Sequence, residues 1–354
     1  MTSPHSQNSA LPIALTMGDP AGIGSEITVL AWKRRRECGL APFFVLSRKS
    51  LFDKLSHLDG FKVPLAIIRD PADALSMFSH SLPILELPEF VAAIAGKPDP
   101  SSGAMTILSI GKAVEFVKSG QASAVVTNPI NKHVLYEAGF QFPGHTEYLA
   151  KLAGDWGAQT VRPVMMLATK QLRTVPLTIH IPLADVASHI SVELIIETAR
   201  ILSGDLTKYF GLKSPHIAVA GLNPHAGEDG AMGTAEMEII EPALARLKSQ
   251  GVNVSGPYPA DTLFHAKARE TYDAVLGMYH DQALIPIKTL GFDEGVNTTL
   301  GLPFVRTSPD HGTAYDIAGK GLATPTSLIE ALNLARDMAA RHPSLVPVRG
   351  AAND

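Results

Sequence analysis

The sequence has a single cysteine, Cys38, among its 354 residues. A disulfide within the chain and a zinc site built from several thiolates are therefore excluded, and a reducing compartment such as the cytoplasm is indicated. The chain also has no excess of positive charge, since its formal net charge is −4 and its pI is about 6.4. The only basic block is Lys33-Arg34-Arg35-Arg36, which suits the solvated end of a helix. We therefore expect no nucleic-acid partner.

Long apolar runs are missing as well. No stretch approaches the ~20 apolar residues that span a bilayer, so we expect no membrane segment. Residues Met1 to Ala10 are polar and lack the apolar centre of a signal peptide, which again predicts a cytoplasmic protein. Because apolar residues make up 45% of the chain and charged residues 18%, a large core can form, and the length suits two domains.

Apolar strands alternate with segments of helical periodicity along most of the chain, a pattern typical of α/β layering. The predicted strands are 13–17, 43–46, 66–68, 122–126, 164–167, 174–179, 217–220 and 274–278. The predicted helices are 25–36, 106–117, 146–152, 192–202, 234–247 and 326–340, and the proline-rich segment 83–103 is interpreted as a loop. The Pro143-Gly144 break indicates a crossover to a second domain, and the last helix is expected to return to the first. The predicted domains are 11–140 with 300–345, and 141–299.

Three histidines follow apolar runs at positions where strands are predicted to end: His180 after 175–179, His225 after 217–224 and His280 after 274–278. Open α/β sheets build their sites at the carboxyl ends of strands. One histidine in such a place is usually a core or surface residue, but three together predict an open divalent-metal site with room for substrate. Neutral imidazole suits zinc, cobalt, nickel or iron better than magnesium or manganese.

Other polar groups have two readings each. Asp281 is interpreted either as a hydrogen-bond partner that orients an imidazole or as the N-cap of a helix that starts at Gln282. The glycine-rich loop 17–26 lies between a strand and a helix, so it suits either an anion or a tight turn, and its spacing matches neither a Rossmann fingerprint nor a P-loop. Lys288 and Arg306 would hold a phosphate or carboxylate if they converge, and are surface charges if they do not.

The segment from Asp310 to Ala323 carries glycines around a short polar stretch. It resembles the cofactor loop of the isocitrate and isopropylmalate dehydrogenases, in which a His-Gly-[Ser/Thr]-Ala sequence receives the adenosine end of NAD(P). The resemblance implies that the nicotinamide cofactor, NAD or NADP, is bound by His311, Gly312, Thr313 and Asp316.

The chain from about Pro12 to Arg341 resembles, in order, the 4-hydroxythreonine-4-phosphate dehydrogenase family of vitamin B6 biosynthesis. The resemblance is carried by several motifs that occur in chain order. They are residues 16–24 (TMGDPAGIG), 126–132 (VTNPINK), 144–147 (GHTE), 221–228 (GLNPHAGE), 256–261 (GPYPAD), 278–282 (MYHDQ) and the segment 297–321.

The resemblance implies a fold, an assembly and a set of site residues. The expected fold is α/β, with two α/β/α domains and a cleft between them as in isopropylmalate dehydrogenase. The expected assembly is a homodimer, whose contacts come from the second domain and whose active site is completed by the partner subunit. The implied residues are His180, His225 and His280 as ligands of one divalent ion (zinc, magnesium or cobalt), His280 and Asp281 as catalytic residues, and His145, Thr146, Lys288, Asn297 and Arg306 as substrate-binding residues.

The expected activity is the NAD(P)-dependent oxidation of a phosphorylated 2-amino-3-hydroxy acid, 4-phosphooxy-L-threonine. The resulting 3-keto acid would lose CO2 to give 3-amino-2-oxopropyl phosphate on the way to pyridoxine 5'-phosphate. The proton acceptor is either Asp281 or a water on the metal. Three alternatives stay open: a sister dehydrogenase for another phosphorylated hydroxy acid or a dihydrodiol acid, a metal-dependent phosphatase, and a non-catalytic binding protein of periplasmic type.

Overall fold

The architecture is taken from a computed structural model that describes residues 11–88, 93–154, 156 and 162–342. The chain divides into two units. Unit 1 combines Met1–Phe142, His311–Ala339 and Pro343–Asp354, and unit 2 combines Pro143–Asp310 with Ala340–His342. Residues 300–310 belong to unit 2, because the antiparallel strands Val296–Leu300 and Arg306–Pro309 pair there. The domain boundary predicted from the sequence instead lies at residue 300.

Unit 1 is an α/β layer structure. Its elements are β1 Ile13–Thr16, α1 Gly24–Lys33, β2 Phe43–Ser47, α2 Lys49–Asp53, β3 Leu65–Ile68, α3 Asp73–Met77, β4 Leu82–Glu86, α4 Gly103–Lys118, β5 Val125–Val126, α5 Lys132–Glu137 and α12 Thr326–Ala339. The strands pair in parallel in the order β3-β4-β2-β1-β5. Strands β1 and β2 are fully buried, which explains why they read as unbroken apolar runs.

Unit 2 is also an α/β structure. Its elements are α6 His145–Gly154, β6 Val164–Ala168, β7 Arg173–Pro176, α7 Val186–His189, α8 Val192–Phe210, β8 Ile217–Ala220, α9 Glu241–Ser249, β9 Val254–Tyr258, α10 Ala266–Arg269, β10 Ala274–Gly277, α11 His280–Gly291, β11 Val296–Leu300 and β12 Arg306–Pro309. The strand order is β12-β11-β6-β7-β10-β8-β9. Strands β7, β10, β8 and β9 run parallel to one another, while β6, β11 and β12 pair in antiparallel fashion. The α/β class predicted from the sequence is confirmed.

Helix α11 is fixed on the unit 2 sheet by an apolar face. Ala283, Leu284 and Ile287 lie on this face and pack into a core cluster with Val275 of β10 and Ala218 of β8. Because the helix begins directly after β10, this packing holds its first residue, His280, at the edge of the sheet. Within the described residues, no helix is both long enough and apolar enough to span a bilayer.

Three sequence predictions of secondary structure are wrong in detail. The segment 83–103 is not all loop, because β4 occupies its start and pairs in parallel with β2 and β3, with Pro83 as its second residue. The helix predicted at 234–247 is a π-helical turn at Glu236–Ile240 followed by α9. The helix predicted at 192–202 continues to Phe210 and ends at Gly211, whose left-handed backbone closes it.

Candidate active site

The three predicted metal histidines follow three neighbouring strands of unit 2. Strand β10 lies between β7 and β8, and all three run parallel. The carboxyl ends of parallel neighbours meet at one edge of a sheet, so the segments that bear His180, His280 and His225 leave the sheet at the same edge. The structure thus gives a physical basis for grouping residues that are remote in the sequence.

His180 and His280 are the two histidines that the structure brings together. Their segments stay paired beyond the strands, since the Leu177 N–H donates to the Gly277 carbonyl at 2.8 Å and the Thr178 hydroxyl donates to the Met278 carbonyl at 2.8 Å. The two ring centroids lie 6.1 Å apart. The rings line an open pocket together with Asp281.

Asp281 orients the imidazole of His280. The His280 Nδ1 atom lies 2.7 Å from the Asp281 Oδ1 atom. Because a carboxylate only accepts, Nδ1 carries a proton, and in the neutral ring Nε2 is then the nitrogen with a lone pair. The alternative reading of Asp281 as an N-cap is wrong. Helix α11 begins at His280, and its N-cap, Tyr279, makes no side-chain capping bond.

His225 lies in an exposed turn after β8, and its backbone has a φ of 54°. Among the residues that the structure describes, no set of three or more His, Cys, Asp or Glu side chains is grouped so that it could hold a metal ion. His225 therefore follows a strand that ends at the same edge of the sheet, but its side chain is not grouped with those of His180 and His280. Two imidazoles that share a tetrahedral ion have ring centroids about 5 Å apart, given a metal–nitrogen distance of about 2 Å. The rings of His180 and His280 lie about 1 Å farther apart than that spacing, and imidazole nitrogen is a donor that divalent ions accept.

Lys288 and Arg306 are the cations among the predicted substrate residues. The Lys288 Nζ atom lies 2.7 Å from a carboxylate oxygen of Asp310. Arg306 is 3% exposed, and its Nη1 donates to the Thr299 hydroxyl at 3.0 Å. Burial lowers the pKa of Arg306 to about 10, so the guanidinium still carries its charge at neutral pH. A buried cation of this kind favours an anionic ligand.

The remaining predicted substrate residues stand on other elements of unit 2. His145 and Thr146 open helix α6 and are partly buried. Asn297 lies in the middle of the pairing of β11, opposite Leu167 of β6 and Ser308 of β12. A helix start is a favourable place for an anion, because its backbone N–H groups point outward.

The predicted cofactor loop belongs to unit 1, where it joins the glycine-rich loop that follows β1. The Ile23 N–H donates to the Thr313 carbonyl at 3.0 Å. A Cβ atom on Gly22 would lie 2.8 Å from that same carbonyl oxygen, so only glycine permits this approach. His311 Nδ1 contacts the Gly312 carbonyl at 3.1 Å, whereas Gly312 and Asp316 are exposed.

A tyrosine–aspartate pair fastens these two loops, and sequence reasoning did not find it. The Tyr315 hydroxyl donates to Asp19 Oδ2 at 2.6 Å, while Asp19 Oδ1 accepts from the Ala21 N–H at 2.9 Å. Burial raises the pKa of Asp19, and burial with the Asp19 hydrogen bond raises the pKa of Tyr315. The two residues are 296 positions apart, so no local sequence pattern indicates that they form a pair.

Two polar residues beside the histidine turns were also missed. Gln282 links the strand ends, since its Oε1 accepts from the Met278 N–H at 2.6 Å and its Nε2 donates to the Gly221 carbonyl at 2.8 Å. Glu236 is 1% exposed and accepts from the backbone N–H groups of Leu222 and Asn223. A glutamate inside a helical pattern gives no sequence signal of such a role.

Comparison with known proteins gives a consistent set of relatives. The model of a family described as pyridoxal phosphate biosynthetic protein PdxA matches residues 40–335. A 4-hydroxythreonine-4-phosphate dehydrogenase of Methylorubrum populi is 52% identical over 343 residues, which cover 96% of this chain and 98% of the relative. A crystal structure of a dehydrogenase of that name from Klebsiella pneumoniae superposes with a TM-score of 0.82 at 36% identity, covering 94% of this chain and 99% of that one.

A more distant likeness concerns a terephthalate 1,2-cis-dihydrodiol dehydrogenase from Burkholderia xenovorans. Its structure superposes with a TM-score of 0.60 at 25% identity, covering 93% of this chain and 98% of that chain. Both the sequence identity and the structural agreement are lower than for the Klebsiella protein.

Proposed function

Because this chain belongs to the PdxA family of pyridoxal phosphate biosynthetic proteins, we propose that it oxidises 4-phosphooxy-L-threonine to 2-amino-3-oxo-4-phosphooxybutanoate. The substrate gives up a hydride to NAD or NADP and a proton to a base. Loss of CO2 from the 3-keto acid then yields 3-amino-2-oxopropyl phosphate. The observation that carries the proposal is the origin of His180, His280 and His225 at the carboxyl ends of three adjacent parallel strands.

The proposed divalent ion is held by those three histidines, with zinc, cobalt or magnesium as the candidates. When bound, the ion would lower the pKa of the substrate hydroxyl and the nicotinamide would accept the hydride. Asp281 keeps the His280 ring in the tautomer that a ligand needs, because it accepts the Nδ1 proton. We assign His280 and Asp281 to the catalytic centre on this basis.

Lys288 and Arg306 are proposed to bind the phosphate and the carboxylate of the substrate. The Lys288 ammonium is at present paired with Asp310, so a substrate anion has to share it or replace that carboxylate. Arg306 offers a guanidinium already removed from water, where attraction to an anion is strongest. His145, Thr146 and Asn297 are proposed to complete the contacts with hydrogen bonds to the same groups.

The nicotinamide cofactor is proposed to lie on the loop that contains His311, Gly312, Thr313 and Asp316. Two features of unit 1 support this proposal. Among the described residues, chain neighbours aside, no heavy atom lies within 4 Å of a Cβ added at Gly312, so a ligand can approach its backbone. The loop is also held in place by contacts with the glycine-rich loop, which gives it the rigidity that a binding site needs.

We also propose a cytoplasmic homodimer in which the partner subunit completes the site. Large apolar side chains of unit 2 support the assembly, since Leu183, Ile285 and Phe292 are 72%, 61% and 71% exposed. Leu183 lines the same pocket as His180 and His280. Exposed apolar groups beside a polar pocket are typical of an interface. The single cysteine supports the cytoplasmic location.

The test is an assay of the purified protein with 4-phosphooxy-L-threonine, a divalent ion, and NAD or NADP. We expect reduced nicotinamide and CO2 in equal amounts, and we expect His280→Ala to abolish turnover while the protein stays folded. Release of inorganic phosphate without reduced nicotinamide would instead favour the phosphatase. Faster turnover of a cis-dihydrodiol acid would favour the sister dehydrogenase. The chain is less similar to the Burkholderia dihydrodiol dehydrogenase than to the Klebsiella enzyme, so this alternative has less support.

A further inference from the structure

One face of the β11–β12 strand pair carries several of the polar side chains assigned to the substrate. Asn297 lies opposite Ser308 in this pair. Alternate residues of a strand point to the same face, so the side chain of Arg306 is on the face of Asn297. Asn297 also lies opposite Leu167 of β6, and Leu167 packs in a core cluster with Ile287 of α11. This polar face is therefore the one that α11 covers.

Lys288 approaches the end of the same strand pair from α11. Its Nζ atom lies 2.7 Å from the Asp310 Oδ2 atom and 3.4 Å from the Asp310 carbonyl oxygen. Asp310 directly follows the last residue of β12, whereas Arg306 is the first residue of that strand. Two cations thus lie beside one short strand, an arrangement that suits a ligand with more than one anionic group.

Thr299 holds the guanidinium of Arg306. Each of the two residues is 3% exposed, and the Arg306 Nη1 atom donates to the Thr299 hydroxyl oxygen at 3.0 Å. A guanidinium has only donors, and a threonine hydroxyl has lone pairs that accept from it. A partner that already orders a long side chain reduces the conformational entropy that is lost when a ligand binds.

The neighbouring hydroxyl of Thr298 bonds to a different group of the same arginine. Thr298 is also buried, and its side chain is on the opposite face of β11 from that of Thr299. Its hydroxyl donates to the backbone carbonyl of Arg306 at 2.9 Å. Strand β11 therefore contains two adjacent buried threonines, of which Thr299 contacts the guanidinium and Thr298 contacts the main chain.

We propose that Thr299 is a positioning residue for substrate recognition, whose hydroxyl keeps the guanidinium of Arg306 directed at the substrate anion. This inference rests on the anion-binding role of Arg306 in the proposed function, and it adds a residue that acts through Arg306 without touching the substrate. A hydrogen bond from a charged donor is strong and directional. Its loss lets the guanidinium take other orientations, so the anion has to order the side chain when it binds.

The test measures the dissociation constant of 4-phosphooxy-L-threonine by calorimetric titration, with a divalent ion present and the nicotinamide absent so that no turnover occurs. We expect Thr299→Val, which removes the hydroxyl but keeps the shape of the side chain, to raise this constant about 10-fold, in line with the loss of one hydrogen bond to a charged group. We expect Thr299→Ser, which keeps the hydroxyl, to bind the substrate like the original protein. If Thr299→Val does not fold, Thr299→Ala takes its place.

Thr298→Val is the matched control. It removes a buried hydroxyl from the adjacent residue of the same strand and leaves the contact between Thr299 and the guanidinium in place. We expect it to lower the free energy of unfolding in urea, as Thr299→Val does, and to leave the dissociation constant unchanged. A double-mutant cycle with Arg306→Met gives a second readout. If Thr299 acts through Arg306, Thr299→Val has no further effect on the dissociation constant once Arg306 is replaced.

The possible outcomes separate the two proposals. Weaker binding in Arg306→Met with unchanged binding in Thr299→Val would overturn the positioning role and leave the anion role of Arg306 standing. Equal weakening in Thr299→Val and Thr298→Val, or an additive cycle, would likewise overturn the positioning role. Unchanged binding in Arg306→Met, or no binding to the original protein, would overturn the proposed substrate contact and the positioning role with it. Weaker binding in Thr299→Val, an unchanged control and a non-additive cycle support the inference.

Discussion

Asp205 is a largely buried carboxylate whose ionisation should destabilise the protein. It lies near the end of α8 and accepts from the Gly301 N–H at 2.7 Å. Burial raises the pKa of Asp205 from 3.8 to about 6, although the Gly301 hydrogen bond and the charge of Lys208 act in the opposite direction. The folded protein therefore holds this proton over a pH range in which the unfolded chain has released it.

The sign and size of the effect follow from proton linkage. Between about pH 4 and pH 6 the folded state binds more protons than the unfolded state, so the free energy of unfolding falls as the pH rises. The shift from 3.8 to about 6 corresponds to about 3 kcal/mol, since one pKa unit is worth about 1.4 kcal/mol. The stabilisation is fully present below about pH 4 and lost above about pH 6.

The variant Asp205→Asn tests this reasoning, because asparagine is neutral and can still accept from Gly301. We expect it to match the original protein near pH 4 and to be more stable by about 2–3 kcal/mol at pH 7. The measurement is urea unfolding of the metal-free protein at a series of pH values. A control, Asp59→Asn, removes an exposed carboxylate and should leave the profile unchanged. A constant difference between Asp205→Asn and the original protein from pH 4 to pH 7 would refute the argument.

Three further predictions concern the site. Asp281→Asn should weaken metal binding by about 10- to 100-fold, because the negative charge that holds the His280 tautomer is lost; the measurement is calorimetric titration. Lys288→Met should raise KM for the phosphorylated substrate by roughly 10- to 100-fold through loss of a charged hydrogen bond, which initial rates will show. Gly22→Ala should raise KM for the nicotinamide roughly tenfold, because the added methyl group meets the Thr313 carbonyl at 2.8 Å; rates at varied cofactor concentration measure this.

Two of these variants, Gly22→Ala and Lys288→Met, have a matched control in the chain. Gly204→Ala adds a methyl group at a position where, within the described part of the chain and apart from the helix's own backbone, no heavy atom lies within 4 Å, so the KM for the cofactor should not change. Lys213→Met removes an exposed charge and should leave the substrate KM unchanged. An increase of the nicotinamide KM in Gly204→Ala equal to that in Gly22→Ala would contradict the steric argument, and an unchanged substrate KM in Lys288→Met would contradict the anion role.

The fold class and the histidine-bearing edge of the sheet could be predicted because strands that are buried on both faces consist almost entirely of apolar residues. Strands such as β10 are covered on both faces, so they read as apolar runs, and the polar residue at the end of each run marks the edge. Strands β11 and β12 were missed because their sequences, VNTTL and RTSP, are polar although most of their side chains are buried. The Thr298 hydroxyl, for example, donates to the Arg306 carbonyl at 2.9 Å, a partner that the sequence alone does not indicate.

The arrangement of the site was less predictable than its composition. The sequence indicates that His180, His225 and His280 end strands, but the order β7-β10-β8, which puts β10 in the centre, depends on pairing between distant segments. Glu236 illustrates the same limit. Its partners, Leu222 and Asn223, precede it by 14 and 13 positions in the sequence, and they contact it only because the intervening turn folds back.

The discontinuity of unit 1 has a consequence for biosynthesis of the chain. Helix α12 packs against α1 and β1, yet all of residues 143–310 are translated between them. Residues 143–310, which make up all of unit 2 except Ala340–His342, therefore leave the ribosome while unit 1 still lacks α12, so most of unit 2 can fold before unit 1 is complete. The cofactor loop, which needs both Asp19 and Tyr315, is among the last parts that can be assembled.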